Sequence, residues 1–154
     1  MVKNYPKYGR DYPNGGITDI QFANMIGGKV KLNIDNKYFS NTCTLRVCYT
    51  LNRSGESIPY INSLTSSSEN GAWHIFRVAV LINYMTETYG SPNVVSSDPN
   101  QFTGLKGIII YDTGSLWSDA TGHATLWNGS RRLGGNYPNS YYLNNGVGKL
   151  WITE

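Results

Sequence analysis

The chain has 154 residues, a net charge of +3 and only 15% charged residues. That length suits one domain able to bury its own core, so disulfides are not needed for bulk stability. Arg131–Arg132 is the only adjacent basic pair and no apolar run approaches the roughly 18 residues of a membrane span, which excludes nucleic-acid binding and membrane insertion as roles. Residues 1–16 are rich in Tyr, Pro and Gly and hold no apolar leader core. The expectation is a cytosolic protein, or one that leaves by a route without a cleaved signal.

Ile17, Ile20, Phe22, Met25 and Ile26 recur at helical spacing and stop at Gly27–Gly28. Residues 29–36 read as a brief strand or an extended loop. Asn41 or Thr42 can cap a helix running to about residue 51, with Leu45, Val47, Cys48 and Leu51 facing inward. Residues 52–71 are polar and read as surface loop. Residues 74–89 carry the clearest helical stripe, ended by Gly90 with Pro92 beyond. Residues 106–112 read as a central strand, 122–128 as a second, and 140–143 and 149–152 as shorter ones. Helices precede strands and nothing repeats. The fold class is α+β, a single domain over residues 1–154 with N-terminal helices packed on an antiparallel sheet.

Two cysteines and two histidines are too few for a four-ligand zinc site, and no metal or cofactor is expected. Cys43 follows the polar turn Ser40-Asn41-Thr42 and opens a helix. The positive end of a helix favours thiolate, the nucleophilic form. Cys48 lies about 140° further round that helix, on its apolar face, and reads as a core residue. A histidine is the usual proton partner of such a cysteine. His123 stands in a strand between Gly122 and Ala124, on one face with Thr125 and Trp127. His74 opens the predicted middle helix and reads as a surface or capping residue.

A third residue should hold the imidazole through its other nitrogen. No carboxylate follows His123 until Glu154, so the candidates are Asn139, which directly precedes the next strand, and Asn136. Asp112 and Asp119 come earlier and fit less well. The Cys43 backbone N–H would serve an oxyanion hole, with Tyr38 or Asn41 near a second donor. Trp117, in a Gly- and Ser-rich loop, and Tyr38 are candidate substrate-binding residues.

Four segments together resemble the fourth family of type VI secretion amidase effectors, small papain-like, NlpC-type peptidoglycan amidases. They are Gly27-Gly28-Lys29-Val30 continuing to Tyr38-Phe39-Ser40-Asn41-Thr42-Cys43; Arg46 to Asn52 with Gly55 and Ile58-Pro59; Ile75-Phe76-Arg77-Val78 to Tyr89-Gly90-Ser91-Pro92; and Gly107-Ile108-Ile109 with Gly122-His123-Ala124-Thr125-Leu126-Trp127-Asn128-Gly129. The resemblance implies a papain-like domain with Cys43 and His123 as its catalytic pair. It implies hydrolysis of the amide between the γ-carboxyl of D-glutamate and meso-diaminopimelate in peptidoglycan stem peptides. It further implies synthesis in the bacterial cytoplasm, delivery to a rival's periplasm by the type VI apparatus, and a cognate immunity protein as partner. The family's third catalytic residue is usually an aspartate, often near a disulfide in the loop after the histidine strand. Residues 130–140 of this chain contain no Asp and no Cys. Two other readings compete: a non-catalytic cell-wall or glycan binding module, suggested by the Tyr and Trp content, and another papain-like transamidase or protease.

Overall fold

Thr18 starts the first helix for a local reason. Its hydroxyl accepts from the Gln21 N–H while the Gln21 side chain accepts from the Thr18 N–H, a reciprocal cap on α1 (Asp19–Ile26). Upstream, the two-residue strand β1 (Tyr8–Gly9) is the first extended segment. The computed structural model describes residues 1–9, 12, 14–114 and 122–153.

Gly27 and Gly28, both at positive φ (64° and 63°), turn the chain straight into α2 (Gly28–Asp35). This corrects the expected strand or loop over residues 29–36. Val30 and Ile34, four apart, share a face packed with Phe22 and Ile26 of α1 and Leu45, so the apolar spacing is helical rather than alternating. A Cβ at Gly28 would strike the Ser68 backbone, which explains why no bulkier residue stands at that turn.

The nucleophile-bearing helix of the sequence reading is α3 (Cys43–Arg53), buried along most of its length. Residues 74–89 divide. Trp73–Ile75 is β3, paired antiparallel with β2 (Thr65–Ser67), and only Val78–Tyr89 is helical, as α4. Asn70–Gly71 closes that hairpin: Asn70 Oδ1 accepts from the Ala72 N–H and Gly71 has φ 85°.

The main sheet has four strands in the order β4 (Val94–Ser96), β8 (Val147–Ile152), β5 (Gly107–Asp112), β6 (Gly122–Trp127), all antiparallel. The expected α+β order of helices and then an antiparallel sheet is met. Residues 140–143 are not a strand but part of α5 (Asn139–Asn144), entered from Pro138, with Tyr142 and Leu143 adjacent and both buried. Adjacent inward residues suit a short helix and contradict strand alternation.

Both faces of the sheet are covered. Ile108, Ile110, Ala124 and Leu126 pack with Cys43, Val47, Leu51, Leu81 and Met85 from α3 and α4. Ile109, Tyr111, Trp127 and Leu150 pack with Phe102, Tyr142 and Leu143 on the other side. A last two-residue strand, β7 (Gly134–Gly135), runs parallel to β1 and beside the β6 edge.

Candidate active site

Cys43 is the first residue of α3 and is 2% exposed. The helix start packs against β6, where the Ala124 backbone hydrogen-bonds with the thiol. The same burial that holds Cys43 pushes its thiol up to about 11, although the Ala124 and Thr44 backbones and the Arg46 charge pull the other way. The expected helix-favoured thiolate is therefore not the resting form. Desolvation outweighs a helix-end effect worth about 1 kcal/mol, and the thiol stays protonated.

His123 leaves the opposite face of β6, as strand alternation requires, and is 3% exposed. Its Nε2 lies 2.8 Å from the Gly134 carbonyl oxygen. A carbonyl can only accept, so Nε2 carries the hydrogen and Nδ1 is left with the lone pair that takes a proton. The ring stacks on Tyr142 at 4.7 Å, with Tyr111 in the same stack and Tyr8 edge-on at 6.4 Å. Burial lowers its pKa to about 4, the Arg132 cation adds to this, and the Gly134 carbonyl opposes it. The imidazole is neutral at pH 7.

The Cys43 thiol thus meets the backbone of this edge strand at Ala124, while the His123 ring leaves the neighbouring position of the strand. Tyr8 and Tyr142 border both: each is a ring neighbour of His123 and each is influenced by charge at Cys43. Among the described residues no hydrogen bond joins the cysteine directly to the histidine.

The candidate third residues are elsewhere. Asn139 Oδ1 accepts from the Tyr111 hydroxyl, so Asn139 reaches the imidazole only through the ring stacked beside it. Asn136 lies beside Gly9, its Oδ1 3.1 Å from where a Cβ on that glycine would stand. The acceptor on the ring is the Gly134 backbone, a group any residue carries, so side-chain chemistry could not point to it. The one signal was the glycine pair: a Cβ at Gly135 would stand 3.0 Å from His123 Nε2. Asp112 is ion-paired with Lys149 at 2.8 Å. Trp117, Asp119 and Glu154 lie outside the described residues.

The expected oxyanion donor is occupied. The Cys43 N–H donates to Asn41 Oδ1 at 2.9 Å, so Asn41 is an acceptor here rather than a second donor. Tyr38 is 77% exposed after α2, and its backbone N–H is spent on the Asn33 carbonyl. His74 is not a surface or capping residue. It sits in β3 opposite Ser66, 1% exposed, with Nδ1 3.2 Å from the Ala72 carbonyl oxygen and its pKa lowered by burial to about 4. Cys48 is in the core, its thiol 3.8 Å from the Ile75 carbonyl oxygen.

Sequence reasoning also missed Arg46, the largest fully buried side chain among the described residues. Its Nε donates to Thr42 Oγ1 at 2.9 Å, Nη1 to the Pro6 carbonyl at 2.8 Å and Nη2 to Asp19 Oδ1 at 3.0 Å. The guanidinium also lies 4.0 Å from the Tyr8 ring centre. An arginine inside an otherwise apolar helix pattern was the signal available.

Residues 39–151 match the family described as type VI secretion system (T6SS), amidase effector protein 4. The fold is similar to the effector Tae4 of Salmonella typhimurium, solved in complex with the immunity Tai4 from Enterobacter cloacae. Identity is 36%, coverage is 89% of this chain and 90% of that one, and the TM-score is 0.78. Tae4 from Enterobacter cloacae, in its complex with Tai4, is 33% identical over 90% of each chain with a TM-score of 0.79. The same effector solved by itself is 32% identical over 90% of this chain and 88% of that one, with a TM-score of 0.77. Comparison with curated proteins returns no match.

Proposed function

The chain belongs to the type VI secretion system amidase effector protein 4 family, an antibacterial peptidoglycan amidase family, and from that premise we propose that it is a cysteine amidase using Cys43 and His123. We read residues 1–154 as one papain-like domain. The bond is the γ-D-glutamyl–meso-diaminopimelate amide of stem peptides. The observation that supports this reading is that Cys43, at a helix start, packs against β6, the strand that carries a neutral His123 whose Nε2 is held and whose Nδ1 is left for a proton.

With thiol and imidazole both neutral at rest, proton transfer accompanies attack. His123 Nδ1 takes the thiol proton as Sγ bonds to the amide carbon. The oxyanion displaces Asn41 Oδ1 and accepts from the Cys43 N–H. The C–N bond breaks as Nδ1–H protonates the leaving amine of diaminopimelate. A water then gives its proton to Nδ1 and attacks the thioester. The acyl group leaves as a carboxylic acid that gives its proton to solvent, and the proton on Nδ1 returns to the Cys43 sulfur. The Gly134 carbonyl stabilises the transient imidazolium less than a carboxylate would.

Delivery through the type VI apparatus into a rival's periplasm fits the family. So does a cognate immunity protein, which we read as covering the site; the Tae4 effectors of Salmonella typhimurium and Enterobacter cloacae are each solved in complex with an immunity protein Tai4. The test is digestion of purified sacculi with the wild type and with Cys43→Ala, followed by mass spectrometry of the fragments. Wild type should release fragments with a new diaminopimelate amine, and the variant should release none. Identical profiles would refute the cysteine mechanism. Binding without cutting by both proteins would favour a cell-wall binding module, and cleavage at another bond would move the reading to a different papain-like activity.

A further inference from the structure

The loop that holds His123 is pinned near its start, where Asn128 Oδ1 accepts from the Ser130 and Arg131 N–H groups, but it carries no disulfide. Residues 128–138 contain no cysteine and no carboxylate. Yet the imidazole rests on one backbone carbonyl of that loop, at Gly134. Something must hold that carbonyl in place, because a hydrogen bond weakens steeply once its angle is lost.

Two strands flank the loop. On one side Leu133 N–H donates to the Leu126 carbonyl of β6 at 2.9 Å. On the other, Tyr8 pairs with Gly134 and Gly9 with Gly135, and the Tyr8 N–H faces the Leu133 carbonyl at 3.4 Å. A Cβ at Gly134 would run into the Tyr8 ring, so that ring fits only against glycine.

A two-residue strand is not rigid alone. Its anchor is Arg46, one turn along α3 from Cys43. Nη1 holds the Pro6 carbonyl and the guanidinium plane covers the Tyr8 ring. Thr42 and Asp19 fix the guanidinium in turn, and the Thr42 hydroxyl donates to Asp19 Oδ1 at 2.7 Å. An unbroken set of contacts runs from the helix of Cys43 through Arg46, Tyr8 and Gly134 to His123.

Resting on the cysteine–histidine reading above, we propose that Tyr8, clamped by Arg46, is a positioning residue: β1 sets the Gly134 carbonyl and thereby orients the His123 ring towards the helix of Cys43. The N-terminal segment does the work that a side-chain carboxylate would otherwise do, through the main chain of the loop rather than by touching the imidazole nitrogen. A strand that merely added stability would leave the ring's tautomer and the kinetic pH profile alone.

The experiment compares wild type with Tyr8→Ala, Tyr8→Leu, Tyr8→Phe and Arg46→Lys. Long-range 1H–15N NMR reads the tautomer and pKa of His123, and sacculus digestion over a pH series reads kcat and KM separately. In folded Tyr8→Ala, kcat should fall at least tenfold with KM within about twofold. The Nε2–H tautomer should lose population, and the His123 pKa should move further down, because the Gly134 carbonyl that raises it is no longer in place. Tyr8→Phe, which keeps the ring, should behave as wild type. Arg46→Lys, which loses the fork that reaches three partners at once, should fall between. If Tyr8→Ala does not fold, Tyr8→Leu, which keeps apolar bulk, answers the same question. A folded variant with unchanged tautomer, pKa and kcat overturns the proposal. The NMR readout needs no substrate, so it separates failure of the brace from failure of the amidase reading, which Cys43→Ala decides.

Discussion

Helix α3 carries two cysteines, and each packs on a strand beside a histidine. Cys43 meets Ala124, next to His123, and Cys48 meets Ile75, next to His74. All four residues are buried, both thiols are pushed up, to about 11 and 12, and both imidazoles are lowered to about 4. Burial and a shifted pKa therefore do not distinguish the two pairs. Position does. Cys43 has backbone groups of a helix start around it and Arg46 one turn away, whereas Cys48 is mid-helix against a carbonyl. His123 is held at Nε2 and stacked among tyrosines, whereas His74 touches the Ala72 carbonyl at the end of a hairpin. On the proposed function one pair passes a proton, while the other fills the core.

The largest test of that contrast is to remove each histidine in turn. His123→Ala should lower sacculus cleavage by roughly a thousandfold or more, while His74→Ala should leave the specific activity of the folded fraction within a few-fold. Equal losses would erase the distinction drawn between the pairs.

What the pairs share should appear in stability. Both histidines have folded pKa values near 4 against about 6.5 in an unfolded chain. Between those values the unfolded state binds more protons, so stability is full above about pH 6.5 and falls as the pH drops towards 4. The loss is on the order of 3 kcal/mol per histidine. Thermal unfolding from pH 7.5 to 4 should show it, and His74→Leu should remove about half of the slope. A slope that survives intact would mean His74 is not buried in its neutral form.

A smaller effect separates the loop carbonyl from the asparagine first expected to hold the ring. Asn139→Ala deprives the Tyr111 hydroxyl of its acceptor and should cost about 1 kcal/mol of stability with less than a tenfold fall in activity. A loss near that of His123→Ala would restore Asn139 to a direct catalytic role.

Much of the chain was legible without coordinates. Gly27–Gly28, the polar turn before Cys43, the β-branched run of β5 and the alternation of β6 are local signals, because helix caps, turns and strand faces depend on neighbours within a few residues. The misreadings also have local causes. Val30 and Ile34 in a polar stretch resemble a weak strand, and residues 73–77 run in apolar register into α4 although the Asn70–Gly71 turn folds them back as β3. Cys43 and His123 could be put forward from sequence because the chemistry proposed for them belongs to their side chains. The carbonyl that holds His123, the tyrosines that enclose it and the arginine that ties the N-terminal strand to the helix of Cys43 were decided only by tertiary structure. They join residues 8, 46 and 134, far apart in sequence, through backbone groups and ring faces that every sequence offers and only packing brings together.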